Sequence, residues 1–241
     1  MLFLYRVVVG FLLMAGVFLL GLVLCLIRPF SSKNLFRISK MIARVGERIF
    51  GIEFIMEGKA NLDQVPAIIL SNHQNNFDMF PGAYTCPPRC VILGKKQLIW
   101  IPLFGLFYWL SGNIMIDRDN KKKAWDSLNK ALLRLKSEKL SLWVLPEGTR
   151  SRGKGLLPFK KGAFTMAITG GLPVIPVCFS SYHKFFDFSK PKSGTIRISV
   201  LPPVETSGLT MEDEPKLRDQ CFQLMKNEIA RLDELNQSRI S

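Results

Sequence analysis

The stretch PAIILSNHQNNFD, from Pro66 to Asp78, joins a short apolar run to a dense polar segment. A short apolar run bounded by turn residues is typical of a buried strand. In α/β sheets, ligands bind at the loops that follow the carboxyl ends of such strands. The stretch therefore predicts an α/β domain with candidate functional residues directly after a strand.

Short apolar runs of the same kind recur from about Gly51 onward. The predicted strands are PAIIL (66–70), RCVIL (89–93), NIMI (113–116), SLWVL (141–145), PVIPVCF (173–179) and TIRISVL (195–201). Capping and breaker residues predict helices from Asp119 or Asn120 to about Glu138, over 161–168, and from Pro215 to about Glu234. This alternation predicts an α/β fold with a mixed, largely buried sheet flanked by helices.

The N-terminus differs from the rest of the chain. From Val7 to Ile27 it has 21 residues without a charge, which as a helix would reach roughly 30 Å, about one hydrocarbon core. A signal peptide is the alternative, but the run is longer than a usual signal core and is followed by Arg28 without a small-residue cleavage site. We predict a membrane-anchoring helix or two-helix motif.

The segment from Ser31 to Phe50 has helical amphipathic spacing. It could lie in the membrane interface with its cations against lipid phosphates, or pack on the domain as an ordinary surface helix. Because cations follow the apolar run, the rest of the chain is expected on the cytoplasmic side of the inner (cytoplasmic) membrane, whether the run spans or stays in one leaflet. We therefore divide the chain into a membrane anchor, 1–50, and a catalytic domain, 51–241. The apolar stripe is Leu35, Ile38, Ile42, Val45 and Ile49, and the cationic stripe is Lys33, Arg37, Lys40, Arg44 and Arg48.

Composition limits the class of partner. A net charge of +14 over 241 residues favours a polyanion, either nucleic acid or a surface of anionic lipid. The apolar N-terminus favours lipid over nucleic acid. Five scattered cysteines and two histidines predict reduced thiols and no metal cluster.

His73 and Asp78 are the candidate catalytic pair. A loop that opens into a helix can bring these side chains together, and a carboxylate that orients an imidazole is a standard device for taking a proton from a hydroxyl. A substrate that brings its own hydroxyl needs no serine nucleophile. The alternative is a capped turn in which Asn72, Asn76 or Asp78 satisfies backbone donors.

A second polar stretch, GTRSRGKG from Gly148 to Gly155, has the glycine and lysine spacing of a P-loop. A P-loop needs Ser or Thr after the lysine to hold magnesium, and here that position is Gly155. The stretch from Pro146 to Phe164 carries five cations against the single Glu147, and arginine forks suit phosphate oxygens. A solvated basic loop is the alternative. These cations are Arg150, Arg152, Lys154, Lys160 and Lys161.

Between these stretches lies GKKQLIWIPLFGLFYWLSGNIMIDRD, 94–119. Its apolar part, from Leu98 to Leu110, fits core, a membrane-facing surface or a groove for a chain-like ligand. Arg118 ends it between two aspartates, where a local ion pair is the alternative to a ligand contact. The candidate groove residues are Lys95, Leu98, Trp100, Phe104 and Gly105.

Taken together, these stretches resemble the membrane-bound glycerolipid acyltransferases and, within them, the bacterial 1-acyl-sn-glycerol-3-phosphate acyltransferases. The resemblance covers essentially the whole chain, with four motifs in order. The first, N-H-x-x-x-x-D, is Asn72, His73 and Asp78. The second is Gly112, Asn113, Ile116, Asp117 and Arg118; the third is LPEGTRS, Leu145 to Ser151; the fourth is LPVIPV, Leu172 to Val177.

The resemblance implies transfer of an acyl group from acyl-CoA or acyl carrier protein to lysophosphatidic acid, without metal or cofactor. His73 would be the general base and Asp78 its orienter. Arg118, Glu147, Gly148, Thr149 and Arg150 would bind the acceptor phosphate, with Glu147 bracing an arginine or backbone donors. The groove residues named above would bind the acyl chain or the donor.

Three alternatives remain at this point. A P-loop enzyme lacks its hydroxyl after Lys154, and a membrane adaptor that binds anionic lipid would not need His73 and Asp78. An acyltransferase of the same family could use glycerol 3-phosphate or another lysolipid. The sequence leaves open the acyl-chain preference, the donor and the oligomeric state.

Overall fold

The computed structural model describes residues 1–117, 121–182 and 186–238. Within these residues, seven strands form one sheet in the order β1-β7-β6-β2-β5-β3-β4. Neighbouring strands are parallel except β6 and β7, which are antiparallel. The strands are β1 Ile52–Glu57, β2 Ile68–Ser71, β3 Cys90–Lys95, β4 Ile114–Ile116, β5 Ser141–Val144, β6 Val174–Phe179 and β7 Gly194–Val200.

The helices are α1 Leu2–Ile27, α2 Ser32–Arg48, α3 Met79–Thr85, α4 Phe104–Leu110, α5 Lys121–Glu138, α6 Gly162–Gly170 and α7 Glu214–Gln237. The mixed α/β fold that we predicted is confirmed, and each predicted strand is present within a few residues. The sequence reading missed β1, an edge strand that pairs with β7 alone. It also missed the seven-residue helices α3 and α4, which are too short for a clear helical period.

Alternation along the strands sends side chains into two apolar layers. Ile69 and Ile175 join the layer that contains α1, α2 and α3, whereas Ile68, Leu70 and Val174 join the layer of α5, α6 and α7. The sheet is thus covered on both faces, as expected for strands that are apolar at every position. This arrangement leaves the ends of the strands as the place where polar loops collect.

The apolar stripe of α2 is buried against protein. Leu35, Ile38, Ile42 and Val45 belong to the same core cluster as the sheet residues, and α2 packs mainly on α1 and α3. The apolar stripe therefore faces protein, as in the alternative of a helix packed on the domain, and contact of its cations with lipid phosphates stays a prediction. The segments that we divided at residue 50 share one core.

α1 lies along the protein on one face and is open on the other. Its buried residues recur at intervals of three and four positions, which is the spacing of a single helix face. Gly21 packs closely on Phe107 of α4, and Phe18 makes ring contacts with Phe104 and Phe107. The buried face is Arg6, Gly10, Met14, Val17, Gly21 and Cys25.

Arg6 ties the start of α1 to the loop before β7. Its guanidinium donates to the carbonyl oxygens of Phe188 at 2.8 Å, Lys190 at 2.7 Å and Pro191 at 2.6 Å, and to Ser193 Oγ at 2.7 Å. A buried cation needs such partners to offset the loss of hydration. The register of α1 on the domain is consequently fixed by a specific polar contact as well as by apolar packing.

Candidate active site

The candidate site forms at the carboxyl ends of three adjacent parallel strands. β2 lies between β5 and β6, so the loops after these strands meet at one edge. His73 follows β2, Glu147 follows β5 and Tyr182 follows β6. Residues far apart in the sequence are thereby brought into one cluster.

His73 and Asp78 are in contact. Nδ1 of His73 lies 2.6 Å from Oδ2 of Asp78. The imidazole side chain is 18% exposed and the carboxylate 6%, so a ligand can reach the histidine while the aspartate stays covered. A proton on Nδ1 that is donated to the carboxylate leaves Nε2 as the acceptor nitrogen, which is the arrangement a general base needs.

The same loop is also a capped turn. Asp78 Oδ2 accepts the backbone N–H groups of Gln74 at 2.6 Å and Asn75 at 3.0 Å, while Asn75 Oδ1 accepts the N–H of Phe77 at 2.7 Å. These bonds fix the short 3₁₀ turn Asn76–Asp78 at the start of α3. The two interpretations of this loop are therefore compatible, because the turn chemistry holds the carboxylate where the imidazole needs it.

Glu147 is buried and holds two loop segments together. Its Oε1 accepts the backbone N–H of His73 at 2.5 Å, and its Oε2 accepts that of Leu157 at 3.0 Å. Burial raises the pKa of Glu147 to about 7, although the N–H donors of His73 and Leu157 act in the opposite direction. These are the backbone contacts of a bracing residue, and the assignment of Glu147 to a phosphate site stays a prediction.

The basic loop after β5 is joined to the loop of His73 by its backbone. Ser151 N–H donates to His73 O at 2.8 Å, and Arg152 N–H donates to Gln74 O at 3.0 Å. Thr149 and Arg150 are exposed beside this junction, and Gly148 has a φ of 71°, which a glycine adopts without strain. The phosphate role of these residues stays a prediction, and Arg118 lies outside the described residues.

The candidate groove residues are spread over β3, a 3₁₀ turn and α4. Lys95 and Trp100 are exposed, whereas Leu98 and Phe104 are half-buried. Gly105 is buried, and a Cβ atom there would overlap the carbonyl oxygen of Ile99. A larger residue at 105 would displace backbone rather than fill a groove, so Gly105 serves close packing. The groove assignment for the stretch stays a prediction.

Sequence reasoning missed Tyr182. Its hydroxyl lies 2.5 Å from Asp78 Oδ1 and 3.0 Å from Asn75 Oδ1. The residue is 2% exposed. No local pattern marks it, because its relation to Asp78 depends on β6 lying next to β2.

Amides of the His73 loop connect that loop to the end of β6. Asn72 Nδ2 donates to the Phe179 carbonyl at 2.9 Å, and Phe179 N–H donates to Asn72 Oδ1 at 2.8 Å. Gln74 Nε2 donates to the Ser180 carbonyl at 2.9 Å. The segments before and after the candidate base are therefore fixed to the neighbouring strand.

The structure thus places a His–Asp pair at the carboxyl edge of the sheet, beside a basic loop, an arrangement that suits removal of a proton from a hydroxyl. A family model described as Acyltransferase matches residues 53–180. The chain belongs to this family and is an acyltransferase.

Named relatives agree with this assignment. The 1-acyl-sn-glycerol-3-phosphate acyltransferase of Salmonella typhimurium is 38% identical over 234 residues, covering 97% of this chain and 95% of that protein. The enzyme of the same name from Haemophilus influenzae is 46% identical over 168 residues, covering 70% of each. The crystal structure of the LPA acyltransferase PlsC from Thermotoga maritima matches the fold with a TM-score of 0.73 at 23% identity, covering 96% of this chain and 94% of that one.

Proposed function

We propose that the protein transfers a fatty acyl group to the sn-2 hydroxyl of 1-acyl-sn-glycerol 3-phosphate and so makes phosphatidic acid for phospholipid biosynthesis. The donor is acyl-CoA or acyl carrier protein. The observation that carries the proposal is the 38% identity over 97% of the chain to an enzyme of that name. The His73–Asp78 contact of 2.6 Å beside an exposed basic loop supplies the chemistry that this reaction needs.

The reaction follows from the protonation of the pair. Nε2 of His73 removes the proton of the acceptor hydroxyl as its oxygen attacks the thioester carbonyl carbon. Asp78 stabilises the imidazolium that forms. The carbon–sulfur bond then breaks, and the thiol leaves with the proton that the imidazolium returns, without a covalent acyl-enzyme. No metal ion or cofactor takes part in these steps.

The acceptor phosphate is proposed to lie against the loop from Gly148 to Arg150, with Arg118 as a further contact. Arg150 is exposed next to a junction that fixes the loop to His73. A guanidinium fork suits two phosphate oxygens at once. Since only the short glycerol backbone of the substrate separates the phosphate from the sn-2 hydroxyl, this placement would hold that hydroxyl near the imidazole.

The membrane is the proposed location of the enzyme, at the cytoplasmic side of the inner membrane. α1 is long and apolar enough to cross a membrane, with a mean hydropathy of 2.9. Next to it, the segment 100–109, which runs into α4, carries five exposed apolar residues: Trp100, Ile101, Leu103, Leu106 and Trp109. Interfacial tryptophan is typical of membrane contact. We name these five residues the α4 surface, and we propose that it and the open face of α1 contact lipid.

The deciding experiment is an acyl-transfer assay with the purified full-length protein in detergent. Thiol release from oleoyl-CoA and from oleoyl-acyl carrier protein is followed with lysophosphatidate, lysophosphatidylcholine or glycerol 3-phosphate as acceptor, and with His73→Ala as the inactive control. We expect release with lysophosphatidate alone. Thiol release with glycerol 3-phosphate alone would overturn the proposed acceptor assignment, and release with none of the three acceptors would overturn the proposed function.

A further inference from the structure

The carboxylate of Asp78 is held on both oxygens. Its Oδ2 receives the imidazole Nδ1 of His73 at 2.6 Å and two backbone N–H groups. Its Oδ1 receives the hydroxyl of Tyr182 at 2.5 Å. Among the described residues, the Tyr182 hydroxyl is thus the group that donates to Oδ1.

The position of Tyr182 is fixed from several sides. Ser181 N–H, one residue earlier, donates to Asp233 Oδ1 of α7 at 2.6 Å. The ring packs on Phe186 with centroids 5.2 Å apart, and the preceding residues are bonded to Asn72 and Gln74 as described above. With 2% of the residue exposed, a swing of the phenol away from Asp78 would break several contacts.

We propose that Tyr182 is a positioning residue of the acyl-transfer reaction, in which its hydroxyl sets the orientation of the Asp78 carboxylate and takes up part of its negative charge. The inference rests on the proposed role of His73 as base. Tyr182 acts through Asp78 and does not touch the reacting atoms.

The phenol is suited to this role because it stays protonated. Burial, the nearby charge of Asp78 and the hydrogen bond to it all raise the pKa of Tyr182. It therefore remains a donor across the working pH range. A donor on Oδ1 competes with the imidazolium for the carboxylate charge, so it limits how tightly the pair retains the proton taken from the substrate.

Removal of the hydroxyl consequently has two expected effects. The carboxylate loses one of the contacts that orient it, which lowers the turnover rate. The carboxylate also keeps the part of its negative charge that the phenol had taken up. The imidazolium of His73 then holds its proton more tightly, and the acid-side fall of the rate moves to higher pH. Among the described residues, the titratable carboxyl of Glu147 also interacts electrostatically with both members of the pair, and the change leaves it in place.

The test is Tyr182→Phe in the full-length protein in detergent, with Tyr84→Phe as matched control. Tyr84 stacks on Phe54 at 4.6 Å, outside the His–Asp cluster. We expect kcat of Tyr182→Phe to fall roughly 3- to 30-fold, which is less than the full effect of losing a hydrogen bond to a charged group because Tyr182 acts through Asp78. The KM for lysophosphatidate should stay within about twofold of wild type, and Tyr84→Phe should match wild type in both constants.

A double-mutant cycle separates positioning from general structural damage. Once Asp78→Asn has removed the charge, Tyr182→Phe should reduce kcat little further, because the two side chains act as one unit. A double variant whose fold-loss in kcat equals the product of the two single losses would overturn the proposal. So would a Tyr182→Phe variant whose kcat and pH profile equal those of Tyr84→Phe.

A second readout does not depend on activity. The ring resonances of His73, assigned with a His183→Gln variant, can be followed against pH in the full-length protein. We expect the midpoint of the His73 titration to move to higher pH in Tyr182→Phe and to stay in place in Tyr84→Phe. An unmoved midpoint would overturn this inference, whereas failure of the proposed function would appear as absent acyl transfer by the wild-type protein itself.

Discussion

Oε1 of Glu147 lies 2.5 Å from the backbone nitrogen of His73, and the other carboxylate oxygen accepts the N–H of Leu157 at 3.0 Å. One buried carboxylate thus joins the loop of the candidate base to the far end of the glycine-rich loop. The acidic residue of a cationic motif has a clear physical role here, because two backbone donors converge on it.

The pH dependence of stability should report on Glu147. Burial raises its pKa from 4.5 to about 7, so the folded protein keeps this proton at a pH where the unfolded chain has lost it. Its contribution to stability is therefore complete below about pH 4.5 and is lost as the pH rises through about 7. We expect the melting temperature of the wild type to fall more steeply from pH 5 to pH 8 than that of Glu147→Gln. The exposed Glu212→Gln serves as control, and equal slopes in wild type and Glu147→Gln would contradict the prediction.

Arg6 is expected to contribute strongly to stability. Arg6→Met keeps an apolar side chain in place but leaves four acceptors without their donor, the carbonyls of Phe188, Lys190 and Pro191 and the hydroxyl of Ser193. One of these bonds is buried and three are partly buried; acceptors that lose a charged donor there are costly, and we expect a loss of about 2–4 kcal/mol in the free energy of unfolding. Thermal unfolding in detergent would measure it, with the exposed Arg28→Met as control. A melting temperature equal to that of the control would show that the contact contributes little.

Local patterns sufficed for most elements of the fold. The buried strands could be predicted because each is a short apolar run, and α5 and α7 because their boundaries carry helix signals. β1 was missed because an edge strand with exposed Glu53 and Glu57 does not form such a run. α3 escaped because it has seven residues and contains Pro81, which a helix accepts in its first turn.

The contacts of the candidate site were predictable from spacing only within one loop; the family resemblance named Glu147 as a bracing residue but not its partner His73. His73 and Asp78 are five positions apart, and their loop is fixed by its own turn chemistry. Tyr182 is 104 positions from Asp78, and Glu147 is 74 from His73. Their contacts depend on β2 lying between β5 and β6. Nothing in a single sequence states that strand order, so a tyrosine after an apolar run gives no signal.

The membrane proposal predicts that Trp100 contacts acyl chains. The residue is 83% exposed on the α4 surface, where an indole would enter the lipid interface. In vesicles with bromine-labelled acyl chains, we expect the tryptophan emission of the wild-type protein to be quenched and Trp100→Phe to lose much of the quenchable part. Trp143 is buried in β5 and donates to Ser71, so Trp143→Phe should keep the quenchable part of the emission. Quenching that Trp100→Phe leaves unchanged would show that Trp100 does not contact the acyl chains.

Arg150 is expected to act in substrate binding. A phosphate that is held equally in the ground state and the transition state raises affinity without raising turnover. Arg150→Ala should therefore raise the KM for lysophosphatidate and leave kcat nearly unchanged, and Arg150→Lys should restore only part of the affinity because the bidentate fork is lost. Saturation curves at fixed acyl-CoA measure both, with exposed Lys226→Ala on α7 as control. An unchanged KM with an abolished rate would assign Arg150 to the chemical step instead.

His73 is expected to act in the chemical step. His73→Ala should lower kcat by roughly 10²- to 10⁴-fold, the usual contribution of a positioned general base, and leave the affinity for lysophosphatidate nearly unchanged.

Asp78→Asn should also lower kcat, for a reason visible in the hydrogen bonds. Two backbone N–H groups and the imidazole converge on Oδ2, and an amide has one oxygen to offer them. If that oxygen keeps the backbone donors, it still accepts from Nδ1 but no longer stabilises the imidazolium. If the amide nitrogen turns toward the ring, the imidazole takes the other tautomer and Nε2 becomes a donor that cannot accept the substrate proton. Both arrangements reduce turnover rather than binding. In saturation curves for lysophosphatidate at fixed acyl-CoA, His73→Ala and Asp78→Asn should therefore both lower kcat and leave KM nearly unchanged. Near-normal turnover in His73→Ala would remove the base from the mechanism, and a loss in Asp78→Asn confined to KM would make Asp78 a residue of the turn alone.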